Sequence, residues 1–520
     1  LIKYRDKFSS DFSLRKRKID IYFYSAVVGV FAGLVIVAYR LSITFFENLR
    51  LKYSPLILTS YPLLAIWLLI SIFCGIIVAL LIKFAPLIKG SGIPQIKAAL
   101  LRKVALNWKR ELPTKLAGGS IALGIGFSLG REGPSIQLGA LVGDAVTKVT
   151  KKTDYSRYLV TAGAAAGISA AFNAPLAGVL FCIEELHHNI TPIMLTSSLI
   201  SAFCADVVMN FFYGKTPVFS IHLLHILPLE LYPSTILLIG IFSGIIGSIF
   251  NRLLVLFQNL YKRIIPDEFI RIVSAFFIVA LTSIFFPLLS GGGERVIESI
   301  GKSGFPFIFI LSILAGKILF TLFSYSSGVP GGIFMPMLAI GASVGAVANL
   351  FLSSWGIPDN YYNNYILLGM VGFFTAVVRA PITGAVLITE MGGNFSHFPA
   401  FILVSVIASI VSEIFRTSPI YDSLLKQTIP DNLMTDNPEP TVLHIPVYDG
   451  SIIANSDDVQ KILPDSCILV SIERGNTEYY PRNVISISAG DILHIVVEKG
   501  MAQPLKKELL SLSGPASIDQ

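Results

Sequence analysis

The sequence predicts an all-α polytopic membrane protein made of two related halves, followed by a small α+β domain in water. Three observations predict it. Of 520 residues, 53% are hydrophobic and only 14% are charged, and the mean hydropathy is +0.70. A soluble globular chain carries about 25% charged residues, so the composition excludes an ordinary soluble enzyme, and equally a disordered or collagen-like chain. Apolar stretches follow one another almost without pause up to about residue 425. Finally, two Gly/Pro motifs recur in the same order in the two halves.

Residues 1–20 are polar and hold seven basic residues, among them Arg15, Lys16, Arg17 and Lys18. No short apolar region with a small-residue cleavage site is visible, so the segment does not read as a removed signal peptide. Basic residues ahead of the first span place the N-terminus in the cytoplasm. Apolar stretches then lie at 21–47, 62–85, 115–129, 133–148, 158–186, 190–213, 233–261, 268–289, 306–325, 331–352, 364–391 and 398–415. Some exceed the ~20 residues needed to span a bilayer and others fall short. Short, Gly/Pro-interrupted helices end their backbone inside the membrane, which is tolerated only where those ends are buried or line an ion path.

The 40 Lys+Arg against 33 Asp+Glu give a net +7. In a membrane protein this excess belongs on cytoplasmic loops, and no nucleic-acid partner is inferred. Cys74, Cys182, Cys204 and Cys467 are far apart with no CxxC; they read as buried free thiols, with no disulfide framework and no metal site. No GxxxxGK[ST] is present, so the energy source is an ion gradient, with no cofactor and no enzymatic activity expected.

The repeat is specific. GREGPSIQLGALVG, from Gly130 to Gly143, matches GIFMPMLAIGASVG, from Gly332 to Gly345, at an offset of 202. Gly130/Gly332, Pro134/Pro336, Gly139/Gly341 and Gly143/Gly345 coincide. Further on, APLAGVLFCIEE at 174–185 matches APITGAVLITEM at 380–391, pairing Pro175 with Pro381, Gly178 with Gly384 and Glu184 with Glu390. Two readings are available: small-residue helix packing, or a duplicated transporter fold with its binding site at the repeat interface, framed by half-helix N-termini.

Each Gly-x-x-x-Pro segment has the grammar of a helix start. Glycine lets the backbone approach a ligand, and proline suits the first turn because its missing N–H would be unbonded there anyway. The first N–H groups stay free, and the helix dipole adds about half a positive charge. Gly90-Ser91-Gly92-Ile93-Pro94 has the same character and adds a hydroxyl. Several such N-termini converging at mid-membrane make a site for a small anion, with no lysine or arginine needed in it.

With GSGIP, GREGP and GGIFMP in this order, the chain resembles the CLC family of chloride channels and chloride/proton antiporters. The resemblance covers about residues 20–425, including 163-GAAAGISAAFNAPLAG and 418-SPIYDSLL. It implies an inverted-repeat membrane domain over 21–428, with halves at about 21–215 and 233–428, that forms a homodimer with one pore per subunit. It implies that Ser91 coordinates chloride, that the backbone around Ile333, Phe334 and Gly133 faces the ion, and that Tyr421 donates its phenol O–H from an inner gate. It further implies that Glu132 is the gating glutamate and Glu185 the inner proton-transfer glutamate of antiporters. The serine in GSGIP is similar to chloride-type members, whereas nitrate-type members carry proline there.

The residues themselves support these roles unevenly. Glu132 is a carboxylate in an apolar, Gly-rich segment, where burial is expensive unless it is paired or functional. Ionised, it is a tethered anion able to occupy the anion site; protonated, it can swing out. Alone, it reads equally as a cap on its helix. Glu184 and Glu185 point about 100° apart on a helix. Glu184 has a repeat partner, which suggests a packing or hydrogen-bonding pair with Glu390; Glu185 has none, leaving it free for proton relay or for facing the cytoplasm as a helix-end charge. Arg131 reads as an ion-pair partner rather than a ligand, Met335 as packing, and His187 and His188 as interfacial. A coupled chloride/proton antiporter is the primary reading. A passive chloride channel of the same fold and a membrane scaffold or receptor are the alternatives.

After about residue 425 the chain turns polar, with β-type runs 441-TVLHIPVY, 467-CILVSIERG and 491-DILHIVVE, a linker at Asn437, Pro438, Glu439 and Pro440, and an amphipathic helix at 502–512. The 463–496 run is similar to TrkA-C (RCK-C) regulatory domains through CILVSIERG, the hairpin near Gly475-Asn476, Pro481 and the turn Ala489-Gly490-Asp491. The resemblance implies a cytoplasmic domain at 441–515 that dimerises and binds a small nucleotide ligand, or else acts as a passive dimer clamp. The expected location is a cell membrane, of the bacterial inner type, with both termini in the cytoplasm.

Overall fold

The structure, a computed structural model, describes residues 2–187, 191–214, 227–302, 305–428, 440–454, 463–464, 466–475, 477–480, 486–498 and 502–513. His188, Asn437, Pro438, Glu439, Asn476 and Pro481 lie outside the described residues. The chain divides into two compact units, Leu1–Met434 and Thr435–Gln520.

The first unit is helical throughout. Its first half holds α1 (Ile2–Thr59), α2 (Tyr61–Phe84), α3 (Ile93–Leu100), α4 (Trp108–Ile125), α5 (Glu132–Val149), α6 (Ser156–Phe172), α7 (Pro175–Phe181) and α8 (Pro192–Tyr213). The second half holds α9 (Tyr232–Ile264), α10 (Glu268–Phe285), α11 (Glu294–Gly301), α12 (Phe307–Ser326), α13 (Phe334–Ser354), α14 (Tyr362–Val378), α15 (Pro381–Gly392), α16 (Phe398–Ile414) and α17 (Ile420–Thr428). Among the described residues, eight helices are long and apolar enough to cross a membrane. The basic 1–20 segment continues into α1 without a break, as Lys- and Arg-rich sequence without Gly or Pro readily does.

Two stretches expected as single helices are each split. The 158–186 run breaks at Asn173, with φ 53°, before Ala174-Pro175; the 364–391 run breaks at Arg379, with φ 69°, before Ala380-Pro381. Proline cannot continue a helix and pushes its predecessor out of the α region, so both repeats break at the same place. Cys182–His187 then forms a π-helical turn beyond α7. The short helices α3, α11 and α17 do not stand out as apolar runs because eight or nine residues cannot span.

The core is built where α5 packs on α6 and, equivalently, α13 on α14. A Cβ on Gly139 would overlap the Gly163 carbonyl, and one on Gly341 the Gly369 carbonyl; Gly143 and Gly345 lie just as tightly on Leu159 and Tyr365. These repeat glycines therefore serve helix packing. Cys74 and Cys204 are partly exposed, contrary to expectation, whereas Cys182 and Cys467 are buried; all four are free thiols.

In the second unit, β1 (Pro440–Pro446), β2 (Ile468–Arg474), β3 (Thr477–Tyr479) and β4 (Ile492–Glu498) form an antiparallel sheet in the order β1-β4-β2-β3. Leu505 and Leu509 of α18 (Ala502–Ser513) join Ile445, Leu469, Ile472, Leu493, Ile495 and Val497 in its core. Asp491, in the turn before β4, accepts from Arg474 Nε and Nη2 at 2.8 Å each and from the Ser488 N–H at 2.9 Å.

Candidate functional site

Three helix starts meet in the first unit. Gly130 and Gly332, equivalent in the repeat, bond to each other reciprocally: Gly130 N–H donates to the Gly332 carbonyl at 2.6 Å, and Gly332 N–H to the Gly130 carbonyl at 2.8 Å. An antiparallel exchange between equivalent residues is the local signature of a two-fold axis, so the two halves run in opposite senses at this point. Gly332 lies against the backbone of Gly133, and Gly133 lies against Ser91 too closely for a Cβ on either glycine to fit without displacement. The starts of α3, α5 and α13 thus converge because small residues occupy every closest approach. Their free first-turn N–H groups and dipoles converge with them.

Ser91, Ile333, Phe334 and Tyr421 are all buried. Ser91 Oγ accepts from the Ile93 N–H at 3.3 Å, and the buried Tyr325, which sequence reasoning missed, sets its hydroxyl against Gly90 next to it. Tyr421 is 0% exposed, yet its hydroxyl has no hydrogen-bond partner among the described residues. A buried phenol ordinarily finds an acceptor; an anion supplies one. Its ring packs edge-on against Phe181, 6.2 Å between centroids, and Phe181 in turn neighbours Phe334. This apolar wall fixes the tyrosine beside the α13 start.

Glu132 opens α5 and is 1% exposed. Among the described residues its Oε2 has no hydrogen-bond partner, and it lies over Gly130, where the backbone and Cβ of Met335 also pack. The side chain is therefore turned toward the start of α13, where an anion would be held. Arg131 lies 4.0 Å from it and pairs more closely with Glu294, at 3.1 Å. Arg131, Glu132, Glu294 and Met335 line one cavity of about 250 Å³.

Glu184 and Glu390 exchange acceptors between the halves. Glu184 receives the N–H groups of Ile382 and Thr383 at 3.2 and 2.8 Å, and Glu390 receives those of Leu176 and Ala177 at 3.1 and 2.8 Å. Each carboxylate satisfies the helix start of the other repeat. Glu185, one residue on, is 3% exposed and bonded by Lys97 Nζ at 2.9 Å. His187, expected at an interface, is buried instead, bonded to Thr161 Oγ1 at 2.6 Å.

Two further residues lie outside the repeated Gly/Pro motifs. Lys115 Nζ donates to the carbonyls of Ile88 and Gly90, at 2.7 Å each, and Lys317 Nζ to those of Leu289 and Gly291, at 3.0 and 2.8 Å. The two lysines are 202 positions apart, so they are repeat equivalents clamping equivalent loops. A lysine amine therefore stands directly behind the GSGIP loop, where no cation was expected. Two buried lysines in apolar helices, at the repeat offset, were the sequence signal.

The comparisons with known proteins agree with this geometry. Residues 73–413 match the family described as voltage gated chloride channel. The chain is 34% identical over 438 residues to the H(+)/Cl(-) exchange transporter ClcA of Vibrio cholerae serotype O1 (strain M66-2), covering 82% of this chain and 93% of that protein. It is 32% identical over 433 residues to the protein of the same name from Citrobacter koseri, covering 80% and 90%. Among solved structures it is similar to a slow cyanobacterial Cl-/H+ antiporter, with a TM-score of 0.73 and 32% identity over 78% of this chain and 97% of that one. A eukaryotic CLC transporter shares the fold at a TM-score of 0.66 and 22% identity. The chain belongs to the voltage-gated chloride channel family, the CLC proteins, and is a multi-pass membrane protein.

Proposed function

We propose that this protein exchanges chloride for protons across a membrane, as its relatives named H(+)/Cl(-) exchange transporter do. The observation that carries the anion site is the buried Tyr421 hydroxyl, without an acceptor among the described residues, on a ring that packs on Phe181 beside Phe334. Chloride accepts from Tyr421 and Ser91 and from first-turn N–H groups around Gly133, Ile333 and Phe334. Partial charges hold it, so it can leave.

Glu132 is the outer gate. Ionised, its carboxylate takes the place of the ion at the α13 start; protonated, it gives up that attraction and swings into the cavity it shares with Arg131 and Glu294. Glu185 passes protons between the opposite mouth and Glu132, with Tyr421 between them. Two carboxylates in an apolar setting are the residues that bear protons in such folds. The ion selected is chloride, the protein works as a homodimer, and both termini are cytoplasmic, so Glu185 lies on the inner side. The 440–513 unit is a TrkA-C-like regulator with a small nucleotide ligand.

Paired chloride and proton flux from the purified protein in liposomes tests the exchange. Chloride-driven uphill proton movement is expected; chloride leak without protons makes the protein a channel, and no flux overturns transport altogether. Anomalous scattering from bromide-soaked crystals tests the site: a peak beside Ser91 and Tyr421 is expected. Cyclic dinucleotides added to the full chain in a calorimeter test the regulator; no heat leaves the unit a clamp.

A further inference from the structure

Lys97 stands at the junction of three elements. It lies on α3, the helix that follows Ser91, and its side chain is 5% exposed. Its Nζ is 2.9 Å from Glu185 Oε1 on the π turn and 2.6 Å from Asp422 Oδ1 on α17. Asp422 follows Tyr421 directly. One ammonium therefore ties together the helix that follows Ser91, the turn bearing Glu185 and the helix bearing Tyr421. A buried charge is stable only with partners, and here the partners lie on two other elements, the π turn and α17.

The charge count gives this junction a state. With both carboxylates ionised, Lys97, Glu185 and Asp422 sum to −1; one proton on Glu185 brings them to zero. Among the described residues, the other ionisable groups near Glu185 are already engaged or uncharged. Glu184 accepts from α15, and His187 is held by Thr161 and Arg157 of α6. Tyr421 carries a neutral phenol, the Cys182 thiol faces the Thr161 carbonyl, and α7 has no ionisable side chain. The junction is also absent from the duplicated scaffold: Glu298 stands 201 positions after Lys97, the spacing of the two lysine-clamped loops, and Met391 stands where the other repeat has Glu185.

We propose that Lys97 is a positioning residue that ties the proton on Glu185 to the inner gate. This rests on the exchange reading above. While Glu185 is ionised, Lys97 is shared, and α3, the π turn and α17 are locked with Ser91 and Tyr421 in register. A proton from the inner solution, landing on Glu185 Oε1, removes the charge that Lys97 was holding. Lys97 keeps its own proton and stays with the half-exposed Asp422, so α3 and α17 are released from the π turn together. Proton loading and loosening of the inner anion gate are then one event.

The test is coupled proton flux from the full chain in liposomes, with both compartments titrated together from neutral into acid. A neighbouring cation favours the ionised carboxylate by about 1–3 pH units. Lys97→Met is therefore expected to move half-maximal proton flux at least about one unit alkaline, and Lys97→Arg to keep the wild-type profile. Asp422→Asn leaves Lys97 wholly to Glu185 and moves the profile acid. Opposite shifts support the proposal, because a structural defect lowers rates without moving two profiles in opposite directions. Shifts of the same sign, or none, overturn it while leaving exchange intact. If Lys97→Met does not survive purification, Asp422→Asn decides alone: an acid shift supports the proposal and an unmoved profile overturns it. Uncoupled wild-type flux overturns the exchange reading and this proposal with it.

Discussion

The two halves of the membrane unit share a scaffold and differ in chemistry. Lys115 and Lys317 clamp equivalent loops; Gly92 and Gly293, with φ 88° and 108°, open the equivalent short helices α3 and α11; Asn173 and Arg379 break equivalent pairs. At the same alignment Ser91 faces Gly292, Glu132 faces Phe334, and Glu185 faces Met391. Backbone ends, buried amines and tight glycines are needed twice because each half must satisfy its own broken helices in lipid. Ionisable and hydroxyl groups at the site occur once because exchange has a direction, and a symmetric set of carboxylates would give both mouths the same task.

The largest expected effects break this asymmetry. Glu132→Ala abolishes proton coupling while anion flux continues, and Glu185→Ala gives chloride flux without protons; paired flux recordings check both, and full coupling in either variant moves that role elsewhere. Next come the lysines. Lys115→Met and Lys317→Met each strip a donor from two carbonyls, at about 1–3 kcal/mol for each group left unsatisfied and buried. Ile88 and Gly90 are buried, whereas Leu289 and Gly291 are half-exposed, so Lys115→Met loses more thermal stability in detergent. It alone weakens bromide binding by calorimetry, because its loop carries Ser91. Equal effects of the two variants on bromide would place the anion symmetrically.

Smaller effects sharpen the shared part. Glu184→Gln and Glu390→Gln each weaken a helix cap by about 1 kcal/mol, lower the melting temperature similarly and leave the coupling ratio unchanged; a changed ratio in either would draw that residue into the proton path. In the second unit, Asp491 offers a control. Burial works to raise its carboxyl, but the hydrogen bonds and charge of Arg474 and the Ser488 N–H outweigh it and hold the group below its ordinary value. Its contribution is present at neutral pH and fades as pH falls below about 4. Asp491→Asn therefore costs about 1 kcal/mol at neutral pH, water screening the half-exposed Arg474, and less in acid, as urea-dependent proteolysis within 440–513 reads.

The repeat, the three helix starts and the strands of the second unit were legible because they rest on local rules: glycine where backbones touch, proline where a helix begins, alternation where a sheet is covered on one face. The short helices α3, α11 and α17 are too brief for hydropathy to reveal. Lys97, Asp422, Lys115 and Tyr325 were hidden for another reason. Each acts against a residue 25 or more positions away, and no spacing along the chain announces a contact across it. Lysines inside apolar helices were the available warning. Among the glycines, sequence could not separate those that approach the site, such as Gly133, from those that only let helices cross, such as Gly139.

The crossed carboxylates have a consequence for how the chain is made. Glu390 supplies the acceptor for the backbone that opens α7, and Glu184 does so for α15. During synthesis α7 reaches the bilayer with its first amides unanswered until residue 390 has left the ribosome, roughly two hundred residues later. The newborn first half thus lacks an acceptor that only the second half supplies. Two separately translated halves, each lacking what the other holds, carry the means to find one another.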